Sequence, residues 1–171
     1  MGQGGGRLST WLDRQIWSAP AWKVLIVALL AAPVCLLLQE AFAWLADILL
    51  SALGVPDRLP SIEAEQAARS ARWTGLISPL LVAPLLENLI CLWWLRKVFG
   101  AAPGWWRAPL WVALIAGGFH VLAYLELRYM VVAVGFFCMC CLMANTRDRR
   151  LGYWASVLLH ATGNALVFLT Q

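Results

Sequence analysis

The chain has 171 residues, 62% hydrophobic and only 13% charged, with a formal net charge of +4. Ordinary soluble domains are about 45–50% apolar and 25% charged, so this composition excludes one and implies an integral membrane protein of a single domain. In such a protein the basic excess reports topology rather than a nucleic-acid partner.

Residues 1–20 read as a tail followed by a surface helix. Residues 2–6 are rich in glycine, and Leu8, Trp11, Leu12 and Ile16 recur at helical spacing beside Arg7, Asp13 and Arg14. That pattern suits a helix lying on the bilayer. Residues 21–171 read as one membrane domain. A helix needs about 20 apolar residues to cross the bilayer, so about five spans fit and little remains for a soluble domain. The first span starts near Trp22 as a retained anchor. Its apolar character resumes after Gln39 and Glu40, broken by Asp47, to about Leu53. One long tilted helix or a span plus an interfacial helix would both fit.

Residues 54–60 form a loop, and Ser61 caps a short polar helix too charged to span. The second span covers about 73–95 and contains Pro79 and Pro84. Pro84 has no N–H for the carbonyl of Leu80, which predicts a kink one turn before Glu87. The remaining spans fall at about 109–125, 129–144 and 153–169. The fold class is therefore all-α, a polytopic transmembrane helix bundle. Tryptophans and tyrosines mark the span ends, as interfacial belts do. All five cysteines (Cys35, Cys91, Cys138, Cys140, Cys141) lie in apolar stretches and read as packing residues rather than a disulfide framework.

With an odd span count, one side of the membrane carries nine basic residues: Arg7, Arg14, Lys23, Arg96, Lys97, Arg107, Arg147, Arg149 and Arg150. The other carries four: Arg58, Arg69, Arg72 and Arg128. The positive-inside rule then places the N-terminus in the cytoplasm and the C-terminus outside. The expected location is a bacterial inner (plasma) membrane.

Four residues stand where lipid-facing sequence has no place for them: Glu87, His120, His160 and Asn164. Ionisable groups at such depth are costly and usually face a bundle interior that does chemistry or transport. His160 and Asn164 are four apart and share one helix face. Counted from the cytoplasmic ends of their spans, Glu87 and His160 lie at matching depths, and His120 roughly 5 Å further out. A carboxylate beside an imidazole can take a proton from water and return it to a leaving amine. A second imidazole and an amide can donate to a developing oxyanion. No obvious nucleophile accompanies them, although Ser156 stands four residues before His160. Glu87, His120 and His160 could alternatively ligate Zn²⁺ as a two-histidine, one-carboxylate site.

The order of these residues resembles the CPBP family (CAAX protease and bacteriocin-processing) of intramembrane proteases. Its first motif, a proline-containing helix with a glutamate pair and an arginine, reads here Pro84-Leu85-Leu86-Glu87-Asn88 with Leu92 where the arginine would stand. Glu87 matches the first glutamate; Asn88 and Leu92 replace a pair that normally bond each other. The second motif, Phe-x-x-x-His, keeps His120 but has Ala116 at the phenylalanine position. The third, His-x-x-x-Asn, is intact as His160-Ala161-Thr162-Gly163-Asn164. Small glutamic-type members that serve C-terminal protein-sorting systems are a closer match than the prenyl-processing branch.

The resemblance implies that Glu87 and His120 activate water while His160 and Asn164 stabilise the oxyanion, with no cofactor required and zinc as the alternative. The expected activity is endoproteolysis of a membrane-anchored or membrane-spanning protein or peptide at the lipid bilayer. The rivals are a non-catalytic immunity or scaffold protein of the same fold and a proton-coupled carrier.

Overall fold

A computed structural model of the chain describes residues 19–55, 77–97, 106–124 and 126–170. The glycine-rich tail, the surface helix expected before residue 19, the polar helix expected from Ser61 and the start of the second span lie outside the described residues. Every described element is helical. The order is α1 (Ala21–Ala52), a π-helical turn (Ser78–Val82), α2 (Ala83–Lys97), α3 (Arg107–Tyr124), a 3-10 segment (Leu127–Val132), α4 (Ala133–Asn145) and α5 (Arg149–Thr170). The five expected spans correspond to these five helices. Three stretches are by themselves long and apolar enough to cross a membrane: Ala21–Ala52, Arg107–Tyr124 and Leu127–Asn145.

The open question at residues 39–53 resolves as one continuous helix, with Pro33 inside it. Its 32 residues rise about 48 Å, well beyond the roughly 30 Å hydrocarbon layer, so α1 must tilt or project. It buries only Val24, Ala28, Ala32 and Cys35. These recur every three or four residues as one narrow stripe, and all but Val24 are small. In lipid the hydrophobic effect does not drive helices together, and small residues let backbones approach for van der Waals packing. Continuing the stripe one turn beyond Cys35 brings it to Gln39, which lines an internal cavity, while its neighbour Glu40 is exposed. Large apolar side chains such as Leu30, Leu37, Leu89 and Leu122 point outward, as a bilayer solvent demands.

Helix α4 is the centre of the bundle and packs against α1, α2, α3 and α5. It buries Gly135, Phe136, Met139, Cys140, Leu142 and Met143. The α4–α5 connection is short because Asp148 caps α5: its Oδ1 accepts from the backbone N–H groups of Arg150 at 2.9 Å and Leu151 at 3.3 Å. That satisfies two donors that a helix start leaves unpaired. Gly152 then lies on the α4 backbone, where an added Cβ would stand 3.1 Å from the Leu142 carbonyl oxygen and 3.3 Å from Met143 Cα.

One expectation needs correction in detail. The kink assigned to Pro84 is a five-residue π turn that ends before it, closed by the bond from Ala83 N–H to the Ser78 carbonyl. With no N–H at Pro84 the tighter i→i−4 pattern cannot run through this stretch, and a widened turn absorbs the mismatch. The fourth span, expected at about 129–144, is found at Leu127–Asn145 and opens in 3-10 geometry. The five cysteines are all free.

Candidate active site

Glu87 and Asn88 follow the π turn on α2, and their neighbours place them differently. Asn88 is fully buried. Its Nδ2 donates to the Pro84 carbonyl at 2.7 Å and lies 3.3 Å from His160 Nδ1 on α5. Glu87 is partly open, yet its Oε2 is buried with no hydrogen-bond partner. That oxygen is 3.9 Å from His120 Nε2 and 3.8 Å from His160 Nε2. Both separations exceed an ordinary hydrogen bond. They are the spacing at which a small polar group would bridge all three side chains.

His120 is anchored on its own helix, with Nδ1 2.9 Å from the Ala116 carbonyl oxygen. A carbonyl only accepts, so Nδ1 carries a proton and a neutral ring turns its Nε2 lone pair toward Glu87. Phe136 of α4 packs beside both imidazoles, its ring centroid 5.3 Å from His120 and 5.7 Å from His160. The 5 Å difference in depth expected for His120 does not separate it from the acid, whose Oε2 lies 3.9 Å from its Nε2.

These groups line one cavity of about 230 Å³, together with Asn164, one turn beyond His160 on α5. Glu87, His120, His160 and Asn164, from three different spans, are therefore brought to one place. The opposite wall carries Gln39 of α1, and Tyr129 stacks on Tyr124 at 4.3 Å between centroids beside the imidazoles. Gln39 can approach because Gly135 has no side chain: a Cβ there would stand 2.5 Å from Gln39 Nε2.

Ser156 does not join the site. Its hydroxyl is buried and is 2.8 Å from the Met139 carbonyl and 2.9 Å from that of Gly152, a tie between α4 and α5 rather than a nucleophile. Glu40 and Asp47 are exposed on α1. Glu126 is a further buried acid, paired with Arg128 at 3.1 Å. Among the described residues, no group of three or more His, Cys, Asp or Glu side chains is arranged to hold a metal ion.

Sequence reasoning missed Gln39, Asn88, Phe136 and the tyrosine pair as neighbours of the site. Asn88 left a signal only as the residue standing where a second glutamate would be, and Gln39 only as a polar residue interrupting an apolar stretch. Phe136 packs beside both histidines although no phenylalanine stands four residues before His120.

Residues 69–166, over half of the chain, match the family model for Rce1-like type II CAAX prenyl endopeptidases. No curated protein and no solved structure matches the chain.

Proposed function

The chain belongs to the Rce1-like family of type II CAAX prenyl endopeptidases, and from that premise we propose that it is an intramembrane endopeptidase attacking a peptide bond directly with water. The observation that carries this reading is the unpartnered Glu87 Oε2, facing two imidazoles inside a membrane-embedded cavity. A carboxylate oxygen left without a donor in such a place costs free energy, and a reaction that uses it accounts for its retention.

In this scheme a water molecule sits between Glu87 Oε2 and His120 Nε2. One of its protons passes to Glu87 as its oxygen bonds the scissile carbonyl carbon. The oxyanion that forms takes hydrogen bonds from His160 Nε2–H and the Asn164 amide. Collapse breaks the carbon–nitrogen bond, and the proton held at Glu87 goes to the departing amine. The scheme uses no metal and no covalent enzyme intermediate. The substrate is a membrane-anchored or membrane-spanning protein, because the cavity lies between helices and its outer surroundings are apolar.

The substrate can be found and the reading tested in one experiment. The wild-type chain is replaced by Glu87→Gln in its own cells, and membrane proteins are mapped by mass spectrometry of their termini. The expected result is accumulation of at least one uncleaved membrane protein, restored to its processed form by the wild-type chain. An identical set of termini with and without Glu87 would overturn the reading.

A further inference from the structure

The geometry points to Asn88 as a positioning residue that fixes which nitrogen of His160 carries the proton. The bond to Pro84 orients the Asn88 amide: at 2.7 Å from a carbonyl oxygen only the NH₂ end is tolerable, since the flipped amide would set two acceptors against each other. The second N–H of that NH₂ group is then left for His160 Nδ1, 3.3 Å away. An amide nitrogen donates and does not accept, so Nδ1 must be the bare nitrogen. A neutral imidazole has one N–H, which therefore sits on Nε2, toward Glu87 Oε2 at 3.8 Å.

His120 is held the opposite way. The Ala116 carbonyl fixes its proton on Nδ1, and Nε2 presents a lone pair to the same carboxylate oxygen. Two rings of the same type thus face one acid in opposite tautomers, one as donor and one as acceptor. Hydrolysis by water needs one of each: an acceptor to orient water and a donor for the oxyanion. Asn88 and the Ala116 carbonyl make the two histidines non-equivalent.

The consequence for cleavage rests on the peptidase reading, but the tautomer itself does not. The chain has only two histidines, so imidazole ¹⁵N spectra of the full-length protein in bilayers resolve both, and His120→Gln assigns them. At neutral pH the wild type is expected to show His160 protonated at Nε2 and His120 at Nδ1. In Asn88→Leu the Nε2–H to Nδ1–H ratio of His160 should fall about fivefold, the value of one ordinary hydrogen bond, while His120 stays unchanged. The isosteric Asn88→Asp, which cannot donate to both partners, should move His160 the same way if the leucine variant fails to fold. With a cleaved substrate in hand, kcat should fall about tenfold with KM within twofold. A wild-type His160 protonated at Nδ1, or an unaltered ratio in both variants, overturns the inference. Absence of cleavage by the wild type sinks the peptidase reading instead and leaves the spectra to decide the role of Asn88.

Discussion

His120 and His160 look alike in the sequence and differ in what holds them. His120 leans on a backbone carbonyl of its own helix; His160 meets a side chain from another. This difference bears on zinc. A metal-ligating histidine offers a bare nitrogen to the ion and donates its other N–H to a carbonyl or carboxylate. His120 fits that pattern, whereas the tautomer inferred for His160, with a donor at Nδ1 and N–H turned toward Glu87, favours the metal-free scheme. Activity is therefore expected to survive strong chelation unchanged; stoichiometric zinc whose removal abolishes cleavage and whose return restores it would refute this. Replacing His160 by Gln should lower kcat by about 10²–10³-fold, the usual loss for an oxyanion donor, as read in single-turnover cleavage. Glu87, His120, His160 and Asn164 were legible because each is a polar residue where lipid tolerates none. Asn88 was legible only as a lost acid. Its role depends on α5 approaching α2, which no local spacing encodes. Phe136 could not be distinguished from any other apolar residue of its span.

At the scale of the elements, glycines decide how closely helices meet. Gly152 lies against the α4 backbone, whereas a Cβ at Gly118 would meet nothing within 4 Å. Gly152→Val should therefore destabilise the bundle by about 1–3 kcal/mol through overpacking. Gly118→Ala should stabilise it by about 0.5–1 kcal/mol, the ordinary gain of alanine over glycine within a helix. Thermal unfolding in detergent checks both, and equal effects at the two sites would contradict the packing described. Helix α2 was the element least well read. Pro79 and Pro84 announced a disturbance, but proline chemistry alone does not choose between a kink and a π turn. The continuity of α1 was equally hidden, because Gln39, Glu40 and Asp47 look like an interface until the buried stripe shows which of them faces inward.

For the whole molecule, composition pointed to the membrane, the lengths of the apolar stretches to the all-helical class, and the order of the motifs to the family. Orientation rests on charge. The nine-to-four basic asymmetry predicts that a reporter fused after Gln171 reads as extracytoplasmic; a cytoplasmic signal there would reverse the assignment. The location of the cavity among all five helices was not legible, since it depends on which faces meet. The account stands or falls on Glu87 as the group that activates water. The direct measurement is single-turnover cleavage by the purified protein in proteoliposomes, using a membrane protein found uncleaved in Glu87→Gln cells. Wild type should cleave it, and Glu87→Gln, folded and inserted with an unchanged melting profile, should be slower by at least about 10²-fold, the low end of general-base catalysis. A Glu87→Gln protein that cleaves at the wild-type rate would contradict the account.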